Sequence, residues 1–249
     1  MLVDMACHIA KVDHTDSNKE QLAMANTIWQ SGVTHVLATA SYPTDPAATG
    51  GDLVQAAEAF QEDLDRRGIA LMVYPGQIID LAQAISWDDL SQDILYVDLN
   101  QRYVLVKLNQ EDPQRYFEPL LFEWLKHDIR PVLVQIEENQ PLMRDIEQVY
   151  QWVDQGCYTA LTAGNLLGRQ GKQVKKQCHY LLEAGLAHLL GSFSTASDDY
   201  QLRQAFAALE NRYGQSISFD IQQNARALIN GDPLIDHFQI KKKKRFWFF

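Results

Sequence analysis

Ser17-Asn18-Lys19-Glu20-Gln21-Leu22-Ala23-Met24-Ala25-Asn26-Thr27-Ile28-Trp29-Gln30-Ser31-Gly32-Val33-Thr34-His35-Val36-Leu37-Ala38-Thr39 contains one complete structural unit. Ser17 is placed to N-cap a helix, and Glu20 completes a capping box. Leu22, Ala25, Ile28 and Trp29 fall on one helical face, and Gly32 sits where such a helix stops. Thr34–Thr39 then reads as a buried strand.

The unit recurs along the chain. A helix from about Asp52 ends near Gly68 and leads to a strand over Ile69–Tyr74. Arg102–Leu108 reads as a further strand. A helix over about Pro113–Lys126 precedes the strand Arg130–Ile136, and one ending near Gly156 precedes Cys157–Leu161. Gln170–Ala184, closed by Gly185, precedes Leu186–Gly191. A last helical region covers about Asp198–Arg212, with more helix after Ser216. Alternating β and α with short connections implies parallel strands. Six or seven units close into a barrel, with an open doubly wound sheet as the alternative. Both place function at the C-terminal ends of strands, here just after Asp4, Ala38, Tyr74, Val106, Val134, Ala160 and Gly191.

At 249 residues, 46% hydrophobic and 22% charged, the chain suits one globular domain over 1–240. The remaining segment, 241–249, is a basic and aromatic tail. No apolar run approaches the ~20 residues of a membrane span. Met1-Leu2-Val3-Asp4 lacks the basic-then-apolar pattern of a signal peptide, and Cys7, Cys157 and Cys178 form no C-x-x-C pair. The expectation is a reduced, cytoplasmic protein. Net charge is −10, and setting aside the tail's five cations leaves the body at −15, which argues against nucleic acid as a partner. Lys241, Lys242, Lys243, Lys244 and Arg245, followed by Phe246, Trp247, Phe248 and Phe249, suit an anionic leaflet or a partner surface.

Val3-Asp4-Met5-Ala6-Cys7-His8-Ile9 resembles the opening D-x-H-x-H-I of the polymerase-and-histidinol-phosphatase (PHP) superfamily. Gly32–Thr39 resembles its second strand and Tyr74-Pro75-Gly76-Gln77 its third. Gly164–Arg169 with Val174-Lys175-Lys176, Asn224-Ala225-Arg226 and Asn230-Gly231-Asp232-Pro233 are similar to stretches of the tyrosine phosphatases of capsule and exopolysaccharide operons. The resemblance spans nearly the whole chain, in order. It implies a distorted (β/α)7 barrel, a cluster of divalent cations (usually manganese), and a role regulating capsular or exopolysaccharide synthesis opposite a bacterial tyrosine kinase.

Against that pattern, the first histidine of the opening motif is Ala6, while the second is kept as His8. The histidine after the second strand is Ser41, and the glutamate after Gln77 is Ile78. The glutamate of the next strand is Lys107. H-I-E-R reads Gln135-Ile136-Glu137-Glu138, and S-D-x-H-N reads Ser192-Phe193-Ser194-Thr195-Ala196. Hydrocarbon side chains offer no lone pair. An ammonium in place of a liganding carboxylate repels a dication by several kcal/mol, since a unit pair at 4 Å is worth about 4 kcal/mol at a dielectric near 20.

Two expectations follow. The first is a catalytically impaired homologue, a pseudophosphatase that binds a tyrosine kinase or its tail. The second is an active metal-dependent phosphotyrosine phosphatase with a reduced site around His8 and Asp13, with Asp4 and His14 nearby. Lys107 beside Gln135 is a candidate phosphate contact. A thiolate mechanism is not expected, because the residues six positions after the cysteines are Asp13, Ala163 and Ala184, where a phosphate loop needs arginine. Gly164–Arg169 carries no G-x-x-x-x-G-K-S/T pattern and reads as a βα loop.

Overall fold

The computed structural model describes residues 1–9, 18–43 and 49–236; Asp13, His14, Ser17 and the tail Lys241–Phe249 lie outside the described residues. Strands and helices alternate as β1 (Val3–Cys7), α1 (Asn18–Gln30), β2 (His35–Tyr42), α2 (Gly50–Arg66), β3 (Met72–Asp80), α3 (Trp87–Asp93), β4 (Tyr103–Lys107), α4 (Pro113–Lys126), β5 (Arg130–Val134), α5 (Gln140–Arg144), α6 (Ile146–Asp154), β6 (Tyr158–Thr162), α7 (Ala163–Leu167), α8 (Lys172–Glu183), β7 (Leu189–Gly191), α9 (Leu202–Tyr213) and α10 (Gln215–Asn230). The strands pair in chain order, all parallel. A doubly wound sheet needs a reversal of strand order, and the order here has none.

Beyond β7 the chain returns to β1. Phe193 N–H donates to the Ala6 carbonyl (2.8 Å) and His8 N–H to that of Ser194 (2.9 Å). The result is a nearly closed (β/α)7 barrel with helices outside. Alternation along the strands makes two cores. In β4, Tyr103 and Leu105 point into the barrel, while Val104 and Val106 face the helical layer. That layer is filled by aromatics such as Phe117 and Trp152, edge to face at 4.7 Å. Ala225 and Leu228 of α10 join the interior core and close the end of the barrel where the strands begin.

Three local expectations are corrected. The third strand runs over Met72–Asp80, not Ile69–Tyr74. Pro75 and Gly76 read as a strand end, yet both lie within β3, paired with Ala38 and Thr39. Pro75 precedes the pairing with β4, which starts at Ile78. Gly76 serves close packing, since a Cβ there would come within 2.7 Å of Leu37 Cγ and 2.9 Å of Thr39 Cγ2. Trp29 is 40% exposed; α1 buries Met24, Ala25 and Ile28 instead, because the residue after Ile28 is turned ~100° from it. Gly164–Arg169 is not simply a loop, since it includes most of the one-turn helix α7, ended by Gly168 at φ 104°.

Candidate functional site: the barrel mouth

β1 runs past Asp4 to Cys7, with an irregular register between them, so His8 is the first residue beyond its C-terminal end. The mouth is then ringed by Thr39 and Ser41 on β2, Ile78 and Asp80 on β3, Lys107 on β4, Gln135–Glu138 after β5, Thr162 at the end of β6 and Asn165 after it, and Ser192–Ser194 after β7. This is the end at which barrels of this kind carry their chemistry.

His8 Nδ1 lies 2.8 Å from the Thr39 carbonyl oxygen. That partner accepts, so Nδ1 carries the proton and Nε2 keeps its lone pair, the orientation of a metal-ligating imidazole. Burial holds the His8 pKa below its usual value, helped by the charge of Lys107 and opposed by the Thr39 hydrogen bond and Asp199. Asp4, of the same motif, is fully buried and faces the seam between β1 and β7. Its Oδ1 accepts from Ser192 N–H (2.9 Å) and Ala6 N–H (3.4 Å). Burial raises it to about 6 against those hydrogen bonds.

Lys107 Nζ stands 3.6 Å from Asp80 Oδ2, its register partner on β3. Asp80 Oδ1 also accepts from Ala82 N–H at 3.0 Å. The ammonium therefore meets a carboxylate that sequence reasoning missed. The signal was available: two residues beyond Ile78 on a strand points to the same side. Gln135 takes a left-handed φ of 57° and opens the 3₁₀ turn Ile136–Glu138. That turn aims Glu137 inward, where Oε1 accepts from Thr162 N–H (2.8 Å) and Asn165 Nδ2 (2.9 Å). Glu138 Oε1 accepts from Asn165 at 2.6 Å. Burial raises Glu137 above its ordinary value despite its Asn165 and Thr162 partners. Across the mouth, Arg169 Nη1 pairs with Asp199 Oδ2 at 2.8 Å. Burial pushes Asp199 upward, but the Arg169 hydrogen bond and others outweigh it and leave the pKa low.

Three further positions are apolar. Ala6, Ile78 and Phe193 belong to the interior core. A Cβ built on Gly191 would lie 3.0 Å from Phe193 Cε2, 3.4 Å from Ala6 Cβ and 2.8 Å from Met5 Sδ. The Phe193 ring thus sits over Gly191 close to Ala6. Among the described residues, no group of three or more His, Cys, Asp or Glu side chains could hold a metal ion. A dication cluster does not fit this donor set. His8 keeps the second histidine of the opening motif, and Asp13, its expected companion, lies outside the described residues. The cysteines are buried, with thiol pKa values pushed well up chiefly by burial.

Fold and mouth together define a barrel of the PHP class. More particularly, residues 2–230 match the family described as capsular polysaccharide synthesis, CpsB/CapC, and the chain belongs to that family. It is 26% identical, over the full length of both chains, to the tyrosine-protein phosphatase YwqE of Bacillus subtilis. Over 93 residues it is 29% identical to the tyrosine-protein phosphatase CpsB of Streptococcus pneumoniae, covering 34% of this chain and 38% of that one. A crystal structure from work on YwqE and CpsB, there called unique metal-dependent tyrosine phosphatases, superposes with a TM-score of 0.83 at 24% identity, covering 94% of this chain and 96% of that one. The fold is shared with those enzymes.

Proposed function

We propose that this chain is a catalytically impaired member of its family, a regulator of capsular or exopolysaccharide synthesis that binds a tyrosine kinase or its tail without hydrolysing phosphotyrosine. The carrying observation is the mouth itself: Phe193 packed close to Ala6, and Lys107 ion-paired to Asp80. Phe193 and Ala6 offer no lone pair, and those of Asp80 are engaged by Lys107 and Ala82 N–H, whereas a multinuclear centre needs free donors to make hydroxide and neutralise phosphate. Lys107 remains a phosphate contact in this reading, with Asp80 as the partner that an incoming phosphate displaces. The chain works in the cytoplasm. Its tail, Lys241–Arg245 with Trp247, holds it to the inner membrane face, where basic residues contribute ~1 kcal/mol each.

The second reading is an active phosphatase with a reduced metal site, manganese by family resemblance. One observation favours it: the His8 ring is oriented as a ligand. Metal analysis together with phosphotyrosine-peptide hydrolysis in added manganese separates the two. The expected result is less than one equivalent of metal and no turnover. Two or more equivalents of manganese, iron or zinc per chain, or activity lost in His8→Ala, would refute impairment. Liposome sedimentation with and without residues 241–249 tests the tail, and equal sedimentation of both forms removes that role.

A further inference from the structure

No Asp or Glu occurs between Asp154 and Glu183, and every Lys and Arg of that stretch falls within 169–176: Arg169, Lys172, Lys175 and Lys176. This happens in a body whose net charge is −15. The structure places the four residues on the rim of the barrel mouth, where α7 leads into α8. Lys172, Lys175 and Lys176 are three and four positions apart and share one helix face, where like charges repel. Lys172 and Lys176 are exposed, and Lys175 is half-buried.

The placement opposes the helix's own preference. The first turn of α8 holds no acid, and its cap, Gly171, contributes no side-chain hydrogen bond. Cations at a helix N-terminus stand at the positive end of the macrodipole. Among the described residues none of the three lysines has a carboxylate partner. Lys175 Nζ donates to the Leu167 carbonyl at 3.3 Å, and Arg169 is matched by Asp199. The 3₁₀ turn packed against α8 brings Glu137 and Glu138, but both accept from Asn165. One turn on, the His179 pKa is lowered to about 4 by burial, then by Arg212 and Lys175. Local preferences are broken at functional sites, and cations without carboxylate partners have the charge to match an anion from outside.

We infer that the exposed face at the start of α8 is a docking surface for an acidic, phosphorylated polypeptide segment, held by Lys172, Lys175 and Lys176. This rests on the reading that the chain acts by binding, and it names the chemistry of the partner. The stripe rises only ~6 Å from Lys172 to Lys176, enough for a short run of phosphates or carboxylates. A nucleic-acid duplex would extend beyond it over the acidic body, which repels it, and a leaflet is met in this reading by the tail, not by this short stripe.

Fluorescence anisotropy with the full chain tests this. The probe is a labelled Glu/Tyr-rich peptide, unphosphorylated or phosphorylated on several tyrosines. The phosphorylated form is expected to bind more tightly, with affinity falling as salt rises. K172E/K175E/K176E should weaken binding about tenfold or more, while K172R/K175R/K176R retains it. The Glu variant should also melt no lower than the parent, because acids suit that helix end, so lost binding is not lost folding. Unchanged binding by the Glu variant, no binding by the parent chain at low salt, or capture of phosphatidylserine vesicles but not peptide through these lysines would each overturn the proposal. Phosphate release is followed in parallel. Hydrolysis would sink the impaired-enzyme reading and leave the surface standing, whereas loss of lysine dependence would do the reverse.

Discussion

Asp4→Asn tests whether the buried seam carboxyl sets the pH dependence of stability. Asp4 is raised from 3.8 to about 6 by full burial, against hydrogen bonds from Ser192 and Ala6. The folded chain therefore holds a proton that the unfolded chain releases. This contribution is fully present below pH ~4 and is lost as pH rises through about 6. At 1.36 kcal/mol per unit, the shift of about two units costs about 3 kcal/mol by pH 8. Asparagine keeps the Oδ1 acceptor for Ser192 N–H and carries no charge. Urea unfolding of both proteins from pH 4 to 8, by linear extrapolation, should give a stability difference near zero at pH 4. It should grow by ~1.4 kcal/mol per unit in favour of the variant, then level off above about pH 6. Parallel curves across the range would refute the reasoning, as would a variant less stable at every pH.

Phe193→Ala should cost about 3 kcal/mol in urea unfolding, because an 8% exposed ring leaves a cavity over Gly191 and Met5. Glu137→Ala should cost about 2–3 kcal/mol by leaving Thr162 N–H and one of the two Asn165 amide hydrogens unmatched, the other staying on Glu138. Glu137→Gln, which keeps an acceptor, should cost less than ~1 kcal/mol; equal losses would show that the hydrogen bonds are not what matters. Cys7, Cys157 and Cys178 should stay silent to Ellman's reagent at pH 8 until denaturant is added, since burial keeps them protonated. A thiol titrating at once in the folded chain would contradict that burial.

Much of the fold was legible because the longer helices announce themselves by an apolar face and strands such as Tyr103–Lys107 by an apolar run, whereas the short helices α3, α5 and α7 gave no such signal. Pro113–Lys126 was expected and is α4, with Asp112 accepting from Arg115 N–H at its start. The third strand was misplaced because Pro-Gly signals a turn in sequence, while here Gly76 makes room for Leu37 and Thr39, a tertiary fact. At the mouth, Ala6, Ile78, Lys107 and Phe193 were legible as residue types unable to cage dications. Their present neighbours were not. Lys107 with Asp80, Arg169 with Asp199 and Glu137 with Asn165 join residues far apart in the chain, and only strand register and barrel closure bring them together.

The junction of β1 with the far end of the sheet has a consequence for folding. Six strand junctions are backbone ladders between sequence neighbours, so each needs only the two strands it joins. β1 is the first of the seven strands in chain order, yet its other flank waits for Ser192, Phe193 and Ser194. Until then the Val3–Cys7 edge stays open to any other extended chain. Of these seven strands the first in chain order is thus the last to be sealed, and a chain cut short before residue 194 lacks the groups that cover that edge.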